Sequence, residues 1–87
     1  MDFEFDPAKS EANRQKHGID FGEAQQLWKD ENRLEITAAS ETENRQAVTG
    51  VIGQTCWTAI VTYRADRIRI ISVRRARTVE IENYHSG

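Results

Sequence analysis

The chain has 87 residues, 38% of them hydrophobic and 30% charged, with a formal net charge of -2. That composition describes one small domain; it excludes two domains or a large α/β barrel and argues against a disordered chain. No apolar run approaches the roughly 18–20 residues of a membrane helix, the acidic start Met1-Asp2-Phe3-Glu4 lacks the basic opening of a signal peptide, and the single Cys56 allows no internal disulfide or thiolate metal cluster, so a reducing cytoplasm is the expected location.

Residues 2–5 alternate acid and Phe, which predicts a short strand with Phe3 and Phe5 on its buried side. Asp6-Pro7 then supplies an N-cap and a first helical residue for a helix over about 7–17, and Gly18 suits a left-handed end to it. Asp20 and Glu23 have capping-box spacing, and Phe21, Ala24, Leu27 and Trp28 form one apolar stripe, predicting a second helix over about 21–29 with Trp28 in the core. The period changes to two from about residue 33, with Leu34 and Ile36 alternating with Glu35 and Thr37. Residues 38–44 read as a loop and residues 45–52 as a weak strand containing Val48 and Ile52, and Gly50 and Gly53 bracket a turn or bulge. Residues 57–63 alternate clearly, Arg64-Ala65-Asp66-Arg67 suits a tight hairpin, and residues 67–74 set Ile68, Ile70 and Ser72 against Ile71 and Val73. A short helix is expected from about 77 to 84. The expected fold is α+β: an N-terminal short strand and two helices packed on a mainly antiparallel sheet, with a short C-terminal helix.

The near-neutral total hides an asymmetry. Residues 1–43 hold five basic against eleven acidic residues, a net of −6; residues 44–87 hold seven arginines and no lysine against three acids, a net of +4. Such a split points toward nucleic acid, phosphate or an acidic partner, and guanidinium forks suit phosphate better than lysine does. Solvated edge charges that prevent sheet aggregation are the alternative.

The two histidines, His17 and His85, have no metal-binding spacing, and neither phosphate-loop nor nucleophile-elbow motifs occur. No metal or other cofactor is expected. What remains suits RNA phosphodiester cleavage, because RNA carries its own 2′-hydroxyl nucleophile. A protein then needs only to move protons and stabilise phosphoryl charge. Candidate groups are Lys16, His17, Arg45, Arg69, Arg74, Arg75, Glu80 and Tyr84. Each has a structural alternative. His17 would meet a helix dipole at its C-terminus, and Arg69 would pair with an acidic helix residue. Arg74 and Arg75 leave opposite faces of a strand, Glu80 sits three residues from Arg77, and Tyr84 would pack the last helix on the sheet.

Phe3-Glu4-Phe5-Asp6-Pro7-Ala8-Lys9, Asn13, Lys16-His17-Gly18-Ile19, Phe21 and Glu23-Ala24 resemble the start of the BrnT family. Arg67-Ile68-Arg69-Ile70-Ile71-Ser72, Arg74-Arg75-Ala76, Glu80 and Tyr84 resemble its end, with a looser match through Glu43, Arg45 and Gly50. The resemblance implies a RelE-like fold and the toxin of a type II toxin–antitoxin pair that cleaves RNA and halts translation. It further implies a BrnA-like ribbon-helix-helix antitoxin, and operator DNA reached only through that partner. It implicates Lys16, His17, Arg45, Arg69, Arg75, Glu80 and Tyr84; the expected catalytic set is His17, Arg69, Arg75, Glu80 and Tyr84, with Lys16, Arg45, Arg67 and Arg74 expected to bind substrate. The rival functions are a non-catalytic partner-binding module acting as co-repressor, and a plain structural domain with solubilising arginines.

Overall fold

The computed structural model describes residues 2–38 and 44–86. The element order is β1 (Asp2–Glu4), α1 (Pro7–His17), α2 (Phe21–Ala24), a 3₁₀ segment (Gln25–Lys29), β2 (Leu34–Ala38), β3 (Arg45–Ile52), β4 (Thr55–Arg64), β5 (Arg67–Arg75) and α3 (Thr78–Ser86). The five strands form one sheet in the order β1-β5-β4-β3-β2. The α+β architecture is the expected one, and most of the loop read at 38–44 lies outside the described residues.

The caps are where local chemistry places them. The Asp6 carboxylate accepts from the Ala8 N–H at 2.8 Å, Pro7 opens α1, and Gly18 closes it at φ 79. Asp20 and Glu23 form a reciprocal capping box on α2. The single helix expected over 21–29 is instead a short α-helix that tightens into the 3₁₀ segment. Its end is tied down by Asp30, which accepts from the Asn32 N–H at 2.9 Å and from the Val51 N–H of β3 at 2.9 Å. Gly50 belongs to β3, not to a turn: a Cβ there would meet Asp30 Oδ2 and Leu27 Cδ2 at 3.2 Å, so its missing side chain lets the segment lie close on the strand. Gly53, at φ 63, takes the turn.

β2 to β5 run as an antiparallel meander, whereas β1 adds to β5 in parallel, pairing Phe3 with Ile68 and Glu4 with Arg69. Pairing Ser72 with Ile60 but Ile70 with Val61 leaves Ile71 as an extra residue in β5. The bulge overturns the expected alternation. Val73 joins Ile68 and Ile70 on the core face, and Ser72 moves to the opposite face.

One face of the sheet carries Val48, Ala59, Val61, Ile68, Ile70 and Val73, buried beneath Ile19, Phe21, Ala24 and Leu27 of the N-terminal helical layer. Trp28 packs at the margin of this core, edge-on to Phe3 with centroids 5.0 Å apart. The two N-terminal helices pack on this first face, and α3 meets the other face at the end that carries Thr58 and Arg74.

Candidate nucleic-acid interface

Strand register settles which charges share that second face. Thr62 of β4 pairs with Arg45 of β3 on one side and Arg69 of β5 on the other, and Arg69 pairs with Glu4. Four strands therefore set Arg45, Thr62, Arg69 and Glu4 in one row. The next rows toward α3 are Ala47–Ile60–Ser72 and Thr49–Thr58–Arg74, while Arg64 pairs with Arg67 at the far hairpin. Five arginines thus hold register positions on one sheet face, with Glu4 reaching Arg67 at 3.7 Å. In the middle of the arginine row Thr62 is 3% exposed, and its hydroxyl has no hydrogen-bond partner.

At the α3 end the charges are locked. Arg74 donates two hydrogen bonds to Glu80, at 2.8 and 2.9 Å, in a bidentate fork. Glu80 also accepts from the Arg77 backbone N–H at 2.7 Å, capping α3, and from the Thr58 hydroxyl at 3.1 Å. Thr58 has one proton to give, so its 2.8 Å contact with Thr49 has Thr49 as donor. The Arg74 bonds, with those from Arg77 and Thr58, overcome burial and hold the Glu80 carboxyl down at about 2. The same bond to Glu80 raises Arg74. Glu80 therefore pairs with the Arg74 side chain and only the backbone of Arg77.

One turn further on, the Tyr84 hydroxyl donates to Asp30 Oδ2 at 2.6 Å. Burial pushes the Asp30 carboxyl up, but bonds from Tyr84, Val51 and Asn32, with the Arg33 charge, outweigh it and leave the group below its usual range. Burial, with the charges of Glu80 and Asp30, pushes the Cys56 thiol up, so it is a poor nucleophile.

The remaining candidates lie elsewhere. Lys16 and His17 end α1 and, with Lys9, line a shallow hollow against Ile71 and Ser72 of β5. Ser72 belongs to the second face, so this basic group borders the arginine rows from the sheet edge. Arg75 sits on the opposite face, its guanidinium 5.7 Å from the Trp57 ring centroid. The structure therefore gathers Arg45, Arg67, Arg69, Arg74 and Glu80 on one face, puts Tyr84 beside them and His17 at their border, and separates Arg75.

Sequence reasoning missed Asp30, Thr58 and Asn13 as partners. The bonds of Asp30 to Tyr84 and of Thr58 to Glu80 carry no local signal, since they reach across 54 and 22 residues.

Both tyrosines of the chain report on this geometry. Tyr63, by burial and its bond to Glu35, and Tyr84, chiefly by its bond to Asp30, are each pushed up to about 12. Spectrophotometric titration is expected to find little phenolate at about pH 10, where an ordinary tyrosine is half ionised. Tyr84→Phe should remove half the late amplitude. A raised phenol stabilises the fold fully below about pH 10 and loses that contribution as pH rises through about 12. A midpoint near 10 for Tyr84 would mean its bond to Asp30 does not persist in solution.

Among the described residues no helix is long and apolar enough to cross a membrane. Comparison with curated proteins finds no match. A family model described as the ribonuclease toxin BrnT of type II toxin–antitoxin systems matches residues 5–80, a span that holds β2 to β5, the five arginines of the second face and Glu80. The chain belongs to the BrnT family of type II toxin–antitoxin ribonuclease toxins.

Proposed function

We propose that this protein is a metal-independent endoribonuclease that cleaves RNA, thereby inhibits translation, and is neutralised by a cognate antitoxin. The observation that carries the reading is the gathering of Arg45, Arg64, Arg67, Arg69 and Arg74 on the sheet face opposite the one on which the N-terminal helices pack. An RNA backbone lies along those rows, its phosphates taken by guanidinium groups. The unpartnered Thr62 hydroxyl supports a polar ligand in the central row.

In the proposed reaction the 2′-oxygen loses its proton and forms a bond to phosphorus. The bond from phosphorus to the 5′ oxygen breaks, and that oxygen takes up a proton. Arg74 and Arg69 stabilise charge on the phosphoryl oxygens. Glu80, with its carboxyl near 2, is too weak a base to take the proton at neutral pH; it positions Arg74. His17, at the border of the face, is the proton-transfer candidate, Lys16 binds phosphate beside it, and Tyr84 positions α3 through Asp30. Arg75 lies outside this centre. The helix-on-sheet architecture is compatible with a RelE-like ribonuclease. The expected antitoxin is a BrnA-like ribbon-helix-helix protein, through which alone operator DNA is reached.

The test is induced expression of the chain with and without the adjacent antitoxin frame, read as growth and total-RNA integrity, together with cleavage by purified protein in chelator. Arrest with RNA loss, cleavage that survives chelation, and rescue by the antitoxin are expected. Normal growth with soluble protein and intact RNA would favour the co-repressor reading.

A further inference from the structure

One cavity of the molecule lies off the arginine rows. It is a groove of about 610 Å³ between α3, the 3₁₀ segment and the β3–β4 turn, lined by Gln26, Lys29, Asn32, Gly53, Tyr84 and His85 over a floor of Asp30 and Val51. Its volume is within the roughly 300–1,000 Å³ common for small-ligand sites. A second hollow shares Asn32, Tyr84 and His85, so these three side chains form a wall between two openings.

We infer that this groove is the nucleobase subsite of the ribonuclease, and that Tyr84, His85, Gln26 and Asn32 set which base flanks the cut. The inference rests on the ribonuclease reading above and adds a place and residues for base selection. The Tyr84 hydroxyl is fixed on Asp30, and His85 meets the Tyr84 ring edge-on at 5.2 Å, so the aromatic wall is ordered before a ligand arrives. Bases stack on aromatic rings, and a ring already set in place loses least freedom on doing so. The side-chain amides of Gln26 and Asn32 each offer donors and an acceptor, the chemistry that reads a base edge. Lys29 at the rim suits the adjoining phosphate. Tyr84 lies four residues beyond Glu80, about 6 Å along the helix axis. That is the reach of one nucleotide from the Arg74–Glu80 pair. A metal does not suit the groove: of its lining only Asp30 and His85 are strong ligands, and Asp30 already accepts from Tyr84, Val51 and Asn32.

The test uses the full chain and four 2′-O-methylated homodinucleotides, which cannot be cleaved because the nucleophile is blocked. NMR titration is expected to shift the Gln26 and Asn32 side-chain amides, the Gly53 N–H and the His85 ring, with unequal affinities among the four. Asn32→Ala should weaken the preferred dinucleotide by about fivefold, the worth of one hydrogen bond. Its side chain is exposed, and only its backbone N–H bonds Asp30, so the fold is expected to survive. Arg74→Ala should weaken all four alike. Shifts confined to the arginine rows, equal affinities for all four, or no effect of Asn32→Ala would overturn the subsite. Cleavage of unmodified RNA by the same preparation separates the two readings. Cleavage without groove shifts overturns the subsite alone, whereas base-selective groove binding without cleavage overturns the ribonuclease reading and, with it, the role in choosing the cut, leaving the groove a nucleobase-binding site only.

Discussion

Asn13→Ala is expected to cost about 3 kcal/mol or more of folding stability, an effect out of proportion to a polar residue on a helix. Its side-chain amide donates to the Ile19 carbonyl at 2.8 Å and to the Val73 carbonyl at 2.9 Å, and its oxygen accepts from the Val73 N–H at 3.2 Å. β1 pairs β5 only from Arg67 to Arg69, so beyond that point the outer edge of β5 has no strand beside it. Asn13 stands in for that strand at Val73, which is fully buried. Removing the amide leaves three buried backbone groups unsatisfied, at about 1–3 kcal/mol each before any water enters. A small domain has a total stability of only about 5–15 kcal/mol, so the variant is expected to be partly unfolded at 37 °C.

Asn13→Asp is the sharper control. Its ionised carboxylate would still accept from Val73 but would face two carbonyls with no proton to give. The native state then favours the protonated acid, so the variant should be weakest at neutral pH and recover as pH falls through the carboxyl range. Urea midpoints across pH, with hydrogen exchange of the Val73 amide, measure this. A loss below 1 kcal/mol in Asn13→Ala would mean that water replaces the amide at the β5 edge.

The difference between Asn13 and the caps explains what was legible in the sequence. Asp6, Pro7, Gly18, Asp20 and Glu23 act on backbone groups within four residues, so their spacing announces their role. Period-two runs likewise marked β2, β4 and β5 and separated Arg74 from Arg75, while β3 showed only as a weak strand. The parallel partner of β1 and the bonds of Asn13, Asp30 and Thr58 to Val73, Tyr84 and Glu80 depend on segments far along the chain, and the extra Ile71 shows only in the register of β5 against β4. The arginine face lies between these cases. Its residues were visible as a charged cluster, but their common face follows only from register, including the bulge that returns Arg74 to the side of Arg69.

Arg74→Ala is expected to lower RNA cleavage by about 10²–10³-fold, the usual consequence of removing one preorganised charge-stabilising donor. Arg74→Lys should recover little of it, because an ammonium cannot reproduce the two parallel bonds that fix the guanidinium on Glu80. Glu80→Gln separates positioning from proton transfer. A carboxyl held near 2 is ionised throughout the working range, so a positioning Glu80 adds no acidic limb to the rate profile. Glu80→Gln should then lower the rate by about tenfold, the equivalent of 1.4 kcal/mol, without changing the profile's shape. A variant that abolishes an acidic limb would instead make Glu80 the base. Stability supplies an independent readout. Because its folded pKa is depressed, Glu80 contributes stability that is present above its unfolded value near 4.5 and lost as pH falls through about 2. The pair is mostly shielded, with side chains 23% and 19% exposed, so solvent screens it only in part. Wild-type protein should therefore lose stability steeply between those two values, and Glu80→Gln should be less stable at pH 7 but much flatter in acid. Parallel curves for the two proteins would mean that the Arg74–Glu80 fork carries no net stabilisation, and that α3 is held on the sheet by Tyr84 and Asp30 instead.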